Sequence, residues 1–490
     1  MAPILRDDEV DRLVGRFADD HGVAGLAAGI VRDGRLVHAV TIGHSSIAGN
    51  RPVTARSVFR AGSISKILTA IAVMQLVADG RVDLDGPVND HLSEFSINTP
   101  VGSRPVTVRD LLTHTSGIGE LRRWSDIARP SIGMAVAPDR PMPSLGDYYA
   151  PALQAGVPAG QKWSYANHGF AVLGAVVEHV TGKSFAQYVR DAILDPLAMT
   201  GSDFSRSDRV SAELCDGYAI GRRGNKAVRY MDIIPGPAGA LFTNLDDMAR
   251  FIGVLCDEGG NILDAASLGM MISPQFHVDT RLPAMGLAFF LSNLAGHRVV
   301  SHDGGVDGFI SHLRVAPDDG AGVIVFTNSA STEISMAIDR LGDELLQVVL
   351  LGGVLPRSSV PVHTEGQGSL LGAYGLRRGF NTNARLWMHL GGEVVIEADA
   401  DHLTFRSFTG PARAPRPLVP IDPHDPTMFA TDIGPMTLQV AFTAGAMHLG
   451  PPLNATMVRR APSFRRRLRG AAAVVAAGAA ALIVARRVPS

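Results

Sequence analysis

Only two cysteines occur in 490 residues, Cys215 and Cys256, and they form no C-x-x-C pattern. This excludes a disulfide framework and a cysteine-built zinc centre, and reduced thiols suit a cytoplasmic compartment. The 16 histidines fall at no metal-ligand spacing, so no metal and no other cofactor are expected. Excess charge is missing too: a net charge of −2 gives no reason to expect nucleic acid as a partner. Neither a Gly-x-Ser-x-Gly elbow nor a His-Glu-x-x-His run is present, which removes α/β-hydrolases and zincins. Gly182-Lys183-Ser184 imitates the end of a phosphate-binding loop, yet Val177 stands where its first glycine is required. Met1–Val10 carries Arg6, Asp7, Asp8 and Glu9 where a secretory signal needs an apolar core, so no export is expected.

Lysine is scarcer than any other charged residue type, at positions 66, 162, 183 and 226 only. One of the four completes Ser63-Ile64-Ser65-Lys66, at the start of an apolar, helix-like stretch running to about Val77. Residues i and i+3 share a helix face, so the Lys66 amine reaches the Ser63 oxygen. A serine hydroxyl is a weak nucleophile at neutral pH, and an adjacent base is the usual remedy. With 32 serines and four lysines, chance gives about 0.3 such pairs, and there is one.

With 46% hydrophobic and 19% charged residues the chain reads as globular, and its length calls for two domains. Apolar residues at helical spacing mark Asp7–Asp20. Leu26–Val31 and Leu36–Ile42 read as a hairpin through Asp33-Gly34, as do Ile310–Val315 and Gly322–Thr327 around Asp318-Asp319-Gly320, followed by a helix from Thr332 to about Leu350. Strands from both ends would then share one antiparallel sheet flanked by helices, an α+β arrangement. The first domain spans 1–355. Residues 356–368 read as a linker, and 369–462 as a small all-β domain, sandwich or barrel, with strands at Arg385–Leu390, Val394–Ala398, Leu403–Phe408, Met436–Phe442 and Ala446–Leu449.

Three more segments suit the Ser63 chemistry. Tyr165-Ala166-Asn167 offers a phenol that can relay a proton beside Lys66 and an amide that both donates and accepts. His302-Asp303-Gly304-Gly305 puts a polar side chain at a strand end, next to glycines that let backbone approach a ligand. Leu111–Gly117 ends a helix-like segment in a polar turn, where His114 is expected to hold the turn by hydrogen bonds.

In this order and spacing the segments resemble the β-lactamase-related serine hydrolase superfamily, in the branch of class C β-lactamases, esterases and D-amino-acid-specific peptidases, over about residues 5–355. The resemblance implies an antiparallel sheet core with an all-helical subdomain and a groove between them. It implies Ser63 as acylated nucleophile, Lys66 and Tyr165 as proton-transfer pair, and Asn167 and His302 beside the substrate. The oxyanion would lie on the backbone N–H groups of Ser63 and Gly305, with Gly304 in the same wall. The branch's lactamases carry Lys-Thr-Gly at the third motif; His302-Asp303-Gly304 lacks that cation and hydroxyl, which leans the resemblance toward esterases and peptidases. Leu371–Gly375 resembles the start of a lipocalin-like appendage found on some members.

The expectation is a serine hydrolase acting on a small ester, amide or peptide, with groove walls from loops such as Arg122–Ser144. Its rivals are a catalytically silent binding or scaffold protein of the same fold and a true β-lactamase. The 463–490 tail adds a location. Gly470–Ala485 is uncharged, and Arg465, Arg466, Arg467 and Arg469 precede it. As a helix this run spans roughly 24 Å, short of the ~30 Å hydrocarbon core, although flanking arginines can snorkel. A helix over about 468–488 is expected to anchor the protein at the cytoplasmic face of a membrane, the alternative being an Ala-rich helix lying on the protein or on an anionic membrane surface. Without the anchor the protein would be cytoplasmic and soluble.

Overall fold

Asp33 and Gly34 both take positive φ, 47° and 71°, as a two-residue hairpin turn requires. They join β1 (Gly25–Arg32) to β2 (Arg35–Ser46), and Gly320, at φ 61°, turns β7 (Phe309–Ala316) into β8 (Ala321–Thr327). The computed structural model describes residues 6–221, 224–355, 367–376, 390–399 and 402–460. With β3 (Arg51–Pro52), β4 (Ala284–Met285), β5 (Phe290–Leu294) and β6 (His297–Val306), these strands form one antiparallel sheet in the order β4-β5-β6-β7-β8-β1-β2-β3. The two ends of the domain meet in its centre, where Leu26 lies opposite Thr327 and Ile30 opposite Val323.

Both faces of these central strands are buried, so they read as nearly continuous apolar runs. Leu26, Ala28, Ile30, Val323 and Val325 pack with α1 (Asp7–His21) and α5 (Thr332–Leu351). Ala27, Val31, Ile324 and Phe326 face the opposite core, built with α2 (Ser65–Ala78), α3 (Asn167–Thr181) and α4 (Leu245–Cys256). The region between strand groups is mainly helical, as expected. It also holds short pairings, Ser96–Asn98 with Ala152–Gln154 and Ala135–Val136 with Asp232–Ile233.

Ser63 departs from the expected α-helix. It lies in a 3-10 turn, Gly62–Ile64, and the α-helix starts only at Ser65. Gly62 has φ 53°, and a β-carbon on it would sit 2.5 Å from the Gly305 nitrogen. Tight winding at this point lets the chain pass that close to β6. Ser65 secures the turn by donating to the Gly62 carbonyl at 2.6 Å and accepting the Leu241 N–H at 2.9 Å.

Beyond the first sheet, eight antiparallel strands close a barrel: β9 (Gly372–Leu376), β10 (Glu393–Asp399), β11 (His402–Ser407), β12 (Arg416–Pro420), β13 (Met428–Ile433), β14 (Met436–Thr443), β15 (Ala446–Leu449) and β16 (Ala455–Arg460). Phe405, Phe429, Leu438, Phe442 and Met457 fill it. Four of its strands follow the sequence expectation. The strand expected at Arg385–Leu390 lies, but for Leu390, outside the described residues, as do 356–366 of the linker and the tail from 461 onward. Gln367 and Gly368 belong to a short turn before β9. The barrel docks on the sheet domain through Arg281, which donates to Asp425 at 2.8 Å, Thr427 at 2.7 Å and the Phe442 carbonyl at 3.0 Å, while Met336 of α5 packs on the barrel core. No helix among the described residues is long and apolar enough to cross a membrane.

Candidate active site

Lys66 is fully buried on the first turn of α2. Its Nζ lies 2.9 Å from Ser63 Oγ, 2.8 Å from Asn167 Oδ1 and 2.7 Å from the Ala238 carbonyl. Three acceptors around one amine fix its position. The Tyr165 ring covers the same amine, its centroid 4.8 Å from Nζ. Asn167 opens α3, so the helix that follows the second motif aims the amide at Lys66. Neither the Ala238 carbonyl nor its role had a signal in the sequence, because any residue supplies a backbone oxygen.

Tyr165 is itself held on several sides. Trp163, Met285 and Phe290 share its apolar cluster. His114 stacks on it with centroids 4.3 Å apart, and His114 Nδ1 accepts the Ala166 N–H at 3.2 Å. The sequence reading gave His114 only its own turn; the ring instead braces the second motif, some 50 residues on. Position 114 has φ 58°, and its carbonyl accepts from Ser164, so the backbone joins the same brace.

The third motif lies on β6 where that strand loses its outer neighbour. The β5 ladder ends at Phe290 opposite Ser301, and from His302 onward β6 pairs only with β7. His302 is 1% exposed and bonds through Nδ1 to the Asp303 carbonyl at 2.6 Å, which puts the proton on Nδ1. Gly304 runs so close to the nucleophile's segment that a β-carbon would stand 2.0 Å from the Ala61 oxygen. The backbones of Ser63 and Gly305 are thus neighbours.

Asp303 points to the other side of the strand. It pairs with His312, directly across on β7, and Arg314 beside it donates to Asp339 at 2.7 Å and to Asp343. Burial alone would raise the Asp303 carboxyl, but His312, His302 and Arg314 hold it below the usual range. Asp303, His312 and Asp339 bring ligand atoms within 4.8 Å of one another, a grouping no sequence spacing announces. Arg314 donates to two of the three, to His312 Nε2 at 3.3 Å and to Asp339 at 2.7 Å.

Ser63, Tyr165, Asn167, His302, Gly304 and Gly305 all line one cavity of about 770 Å³. Ser131, Ile132, Met134 and Ala135 form another wall, from the loop expected to do so, and Met436, Thr437, Gln439 and Pro451–Leu453 of the barrel line the cavity as well.

Residues 10–346 match the beta-lactamase family. The chain belongs to that family. Penicillin-binding protein 4 of Amycolatopsis lactamdurans is 29% identical over 335 residues, 63% of this chain and 82% of that protein. Protein flp of Staphylococcus aureus is 20% identical over 352 residues, 69% of this chain and 66% of flp. Among solved structures, the octameric penicillin-binding protein homologue of Pyrococcus abyssi aligns over 92% of this chain and 99% of its own, with TM-score 0.62 and 22% identity. The D-amino acid amidase of Ochrobactrum anthropi, solved with L-phenylalanine, aligns over 70% and 99% with TM-score 0.58 and 20% identity. At such identities these structures speak for the fold.

Proposed function

We propose that this member of the beta-lactamase family is a serine hydrolase that cleaves a small ester, amide or peptide through an acyl-enzyme on Ser63. The observation that carries the reading is a water-excluded amine 2.9 Å from a groove-lining hydroxyl. With Lys66 deprotonated, its two hydrogens remain on Asn167 and Ala238 and its lone pair takes the Ser63 proton as Oγ bonds to the substrate carbonyl carbon. The carbonyl electrons move to oxygen, which the N–H groups of Ser63 and Gly305 receive. Collapse of that adduct breaks the bond to the leaving group, and Tyr165, against Lys66, hands it the proton. Water then repeats the sequence on the acyl carbon and frees Ser63.

A fluorophosphonate probe followed by intact mass tests this: wild type gains one adduct and Ser63→Ala gains none. Ser63→Ala and Lys66→Ala should each lower ester turnover more than about 100-fold. Wild-type-like turnover in Ser63→Ala refutes the reading, and a wild type that neither turns over ester nor takes the probe favours a silent binding protein. For location, we propose that a helix over about 468–488 holds the protein at the cytoplasmic face of a membrane, its arginines reinforcing the hold by about 1 kcal/mol each near anionic lipid.

A further inference from the structure

Arg60 stands three residues before Ser63, in a two-residue strand that pairs Phe59–Arg60 with Phe242–Thr243. It is 4% exposed, and its Nε is buried without a hydrogen-bond partner. The guanidinium lies over the Tyr230 ring at 4.8 Å and near Phe242 at 5.8 Å. Rings of this kind attract the cation but take none of the hydrogen bonds its N–H groups can make. Asp232 and Asp307 are close enough to act on it through space, but neither bonds to it among the described residues. Asp232 accepts from the Tyr230 hydroxyl at 2.7 Å, and Asp307 from Ser131 at 3.0 Å. Burial lowers the Arg60 pKa against the pull of Tyr230 and these two acids, so the folded chain bears the cost of a cation it does not pair. An unspent buried group asks for an explanation. Arg60 lines the cavity that holds Ser63, and a second cavity of about 710 Å³ lies on its other side.

We propose that Arg60 is the anion-recognition residue of this groove, and that the substrate carries a carboxylate for its guanidinium to take. The proposal rests on the Ser63 reading. It places on the nucleophile's own segment the cation that His302-Asp303-Gly304 lacks. Arginine suits the task because its planar fork meets both oxygens of a carboxylate. Only two buried residues, Ala61 and Gly62, separate the cation from the nucleophile, so the span between carboxylate and scissile carbonyl is fixed, and substrates of different length should be sorted by it.

The full-length protein is given p-nitrophenyl monoesters of succinate, glutarate and adipate, each beside a counterpart whose free carboxyl is capped as a methyl ester. At one length at least, wild type should favour the anionic ester in kcat/KM by about tenfold or more. Arg60→Gln and Arg60→Met should each lower that ratio by about tenfold, and Arg60→Lys should keep part of it. A general structural defect would depress both esters together and leave the ratio unmoved. A wild-type ratio of one or less at every length overturns the proposal and requires no variant to fold. So does an unchanged ratio in Arg60→Gln protein that still takes the fluorophosphonate on Ser63. In both cases turnover that depends on Ser63 leaves the acyl-enzyme reading standing, whereas turnover that survives in Ser63→Ala removes that reading and this proposal with it.

Discussion

Acid should weaken the fold around the site through one buried imidazole. His168 follows Asn167 in the first turn of α3 and has no exposed surface. Its Nε2 lies 3.1 Å from the Glu120 carbonyl, which can only accept, so the proton is on Nε2. Nδ1 is then left to accept the Tyr149 hydroxyl at 2.9 Å. A second proton would have no acceptor ready for it. Burial accordingly lowers the His168 pKa from 6.5 to about 4, with the Glu120 bond opposing and Arg122 assisting.

The sign follows from which state binds the proton. Between pH 6.5 and about 4 the unfolded chain holds a proton that the folded one refuses, so stability is complete above that window and falls as pH drops through it. At ~1.4 kcal/mol per unit the full loss is roughly 3 kcal/mol, of which about 2 kcal/mol is gone by pH 5. Denaturant unfolding followed by circular dichroism, for wild type and His168→Gln at pH 7.5, 6 and 5, isolates this contribution. The variant starts less stable, since it loses a buried hydrogen-bonded ring, but the gap should narrow by about 2 kcal/mol at pH 5 because glutamine cannot titrate. Parallel curves across the three pH values would refute the argument.

Three further outcomes are expected. His114→Leu removes the acceptor for the Ala166 N–H and the polar ring stacked on Tyr165, so kcat should fall about tenfold while Ser63 still reacts with the probe; an unchanged kcat rejects the bracing role. p-Nitrophenyl acetate should surpass nitrocefin in kcat/KM, because the third motif offers a rigid cephalosporin carboxylate neither lysine nor hydroxyl, and the opposite preference would point to a true β-lactamase. Truncation after Pro462 should keep the esterase rate and move the protein from the membrane to the soluble fraction; full-length protein that is already soluble at low and high salt disproves the anchor.

What the sequence disclosed about the site was what is local in the chain. Ser63 and Lys66, or Tyr165 and Asn167, lie within one turn of each other, so their spacing survives even though Ser63 sits in a 3-10 turn rather than in α2. Strands buried on both faces announced themselves as apolar runs, and Asp33-Gly34 announced their turn. The hidden parts are pairings across long stretches of chain. Nothing near His114 says that its ring will meet Tyr165, and nothing near Ala238 says that its carbonyl will hold Lys66. In the barrel, β12 carries Pro417 and Pro420, residues poor at signalling a strand, yet it pairs with β11 and β13.

The third motif shows how one such pairing changes the meaning of a residue. Read along the chain, Asp303 beside His302 looks like a negative charge ready to repel an anionic substrate. A strand turns successive side chains to opposite faces, and His312 lies directly across from Asp303 on β7. The carboxylate is therefore tied to an imidazole and its neighbouring Arg314, whose other partners, Asp339 and Asp343, belong to α5. That helix also carries Met336, which packs on the barrel. His302, one residue away, leans on the Asp303 carbonyl, so the charge network on one face of β6 steadies the peptide that orients the ring on the other. The charge of Asp303 is thus spent on holding the strand, and a cation for the substrate has to come from elsewhere in the groove.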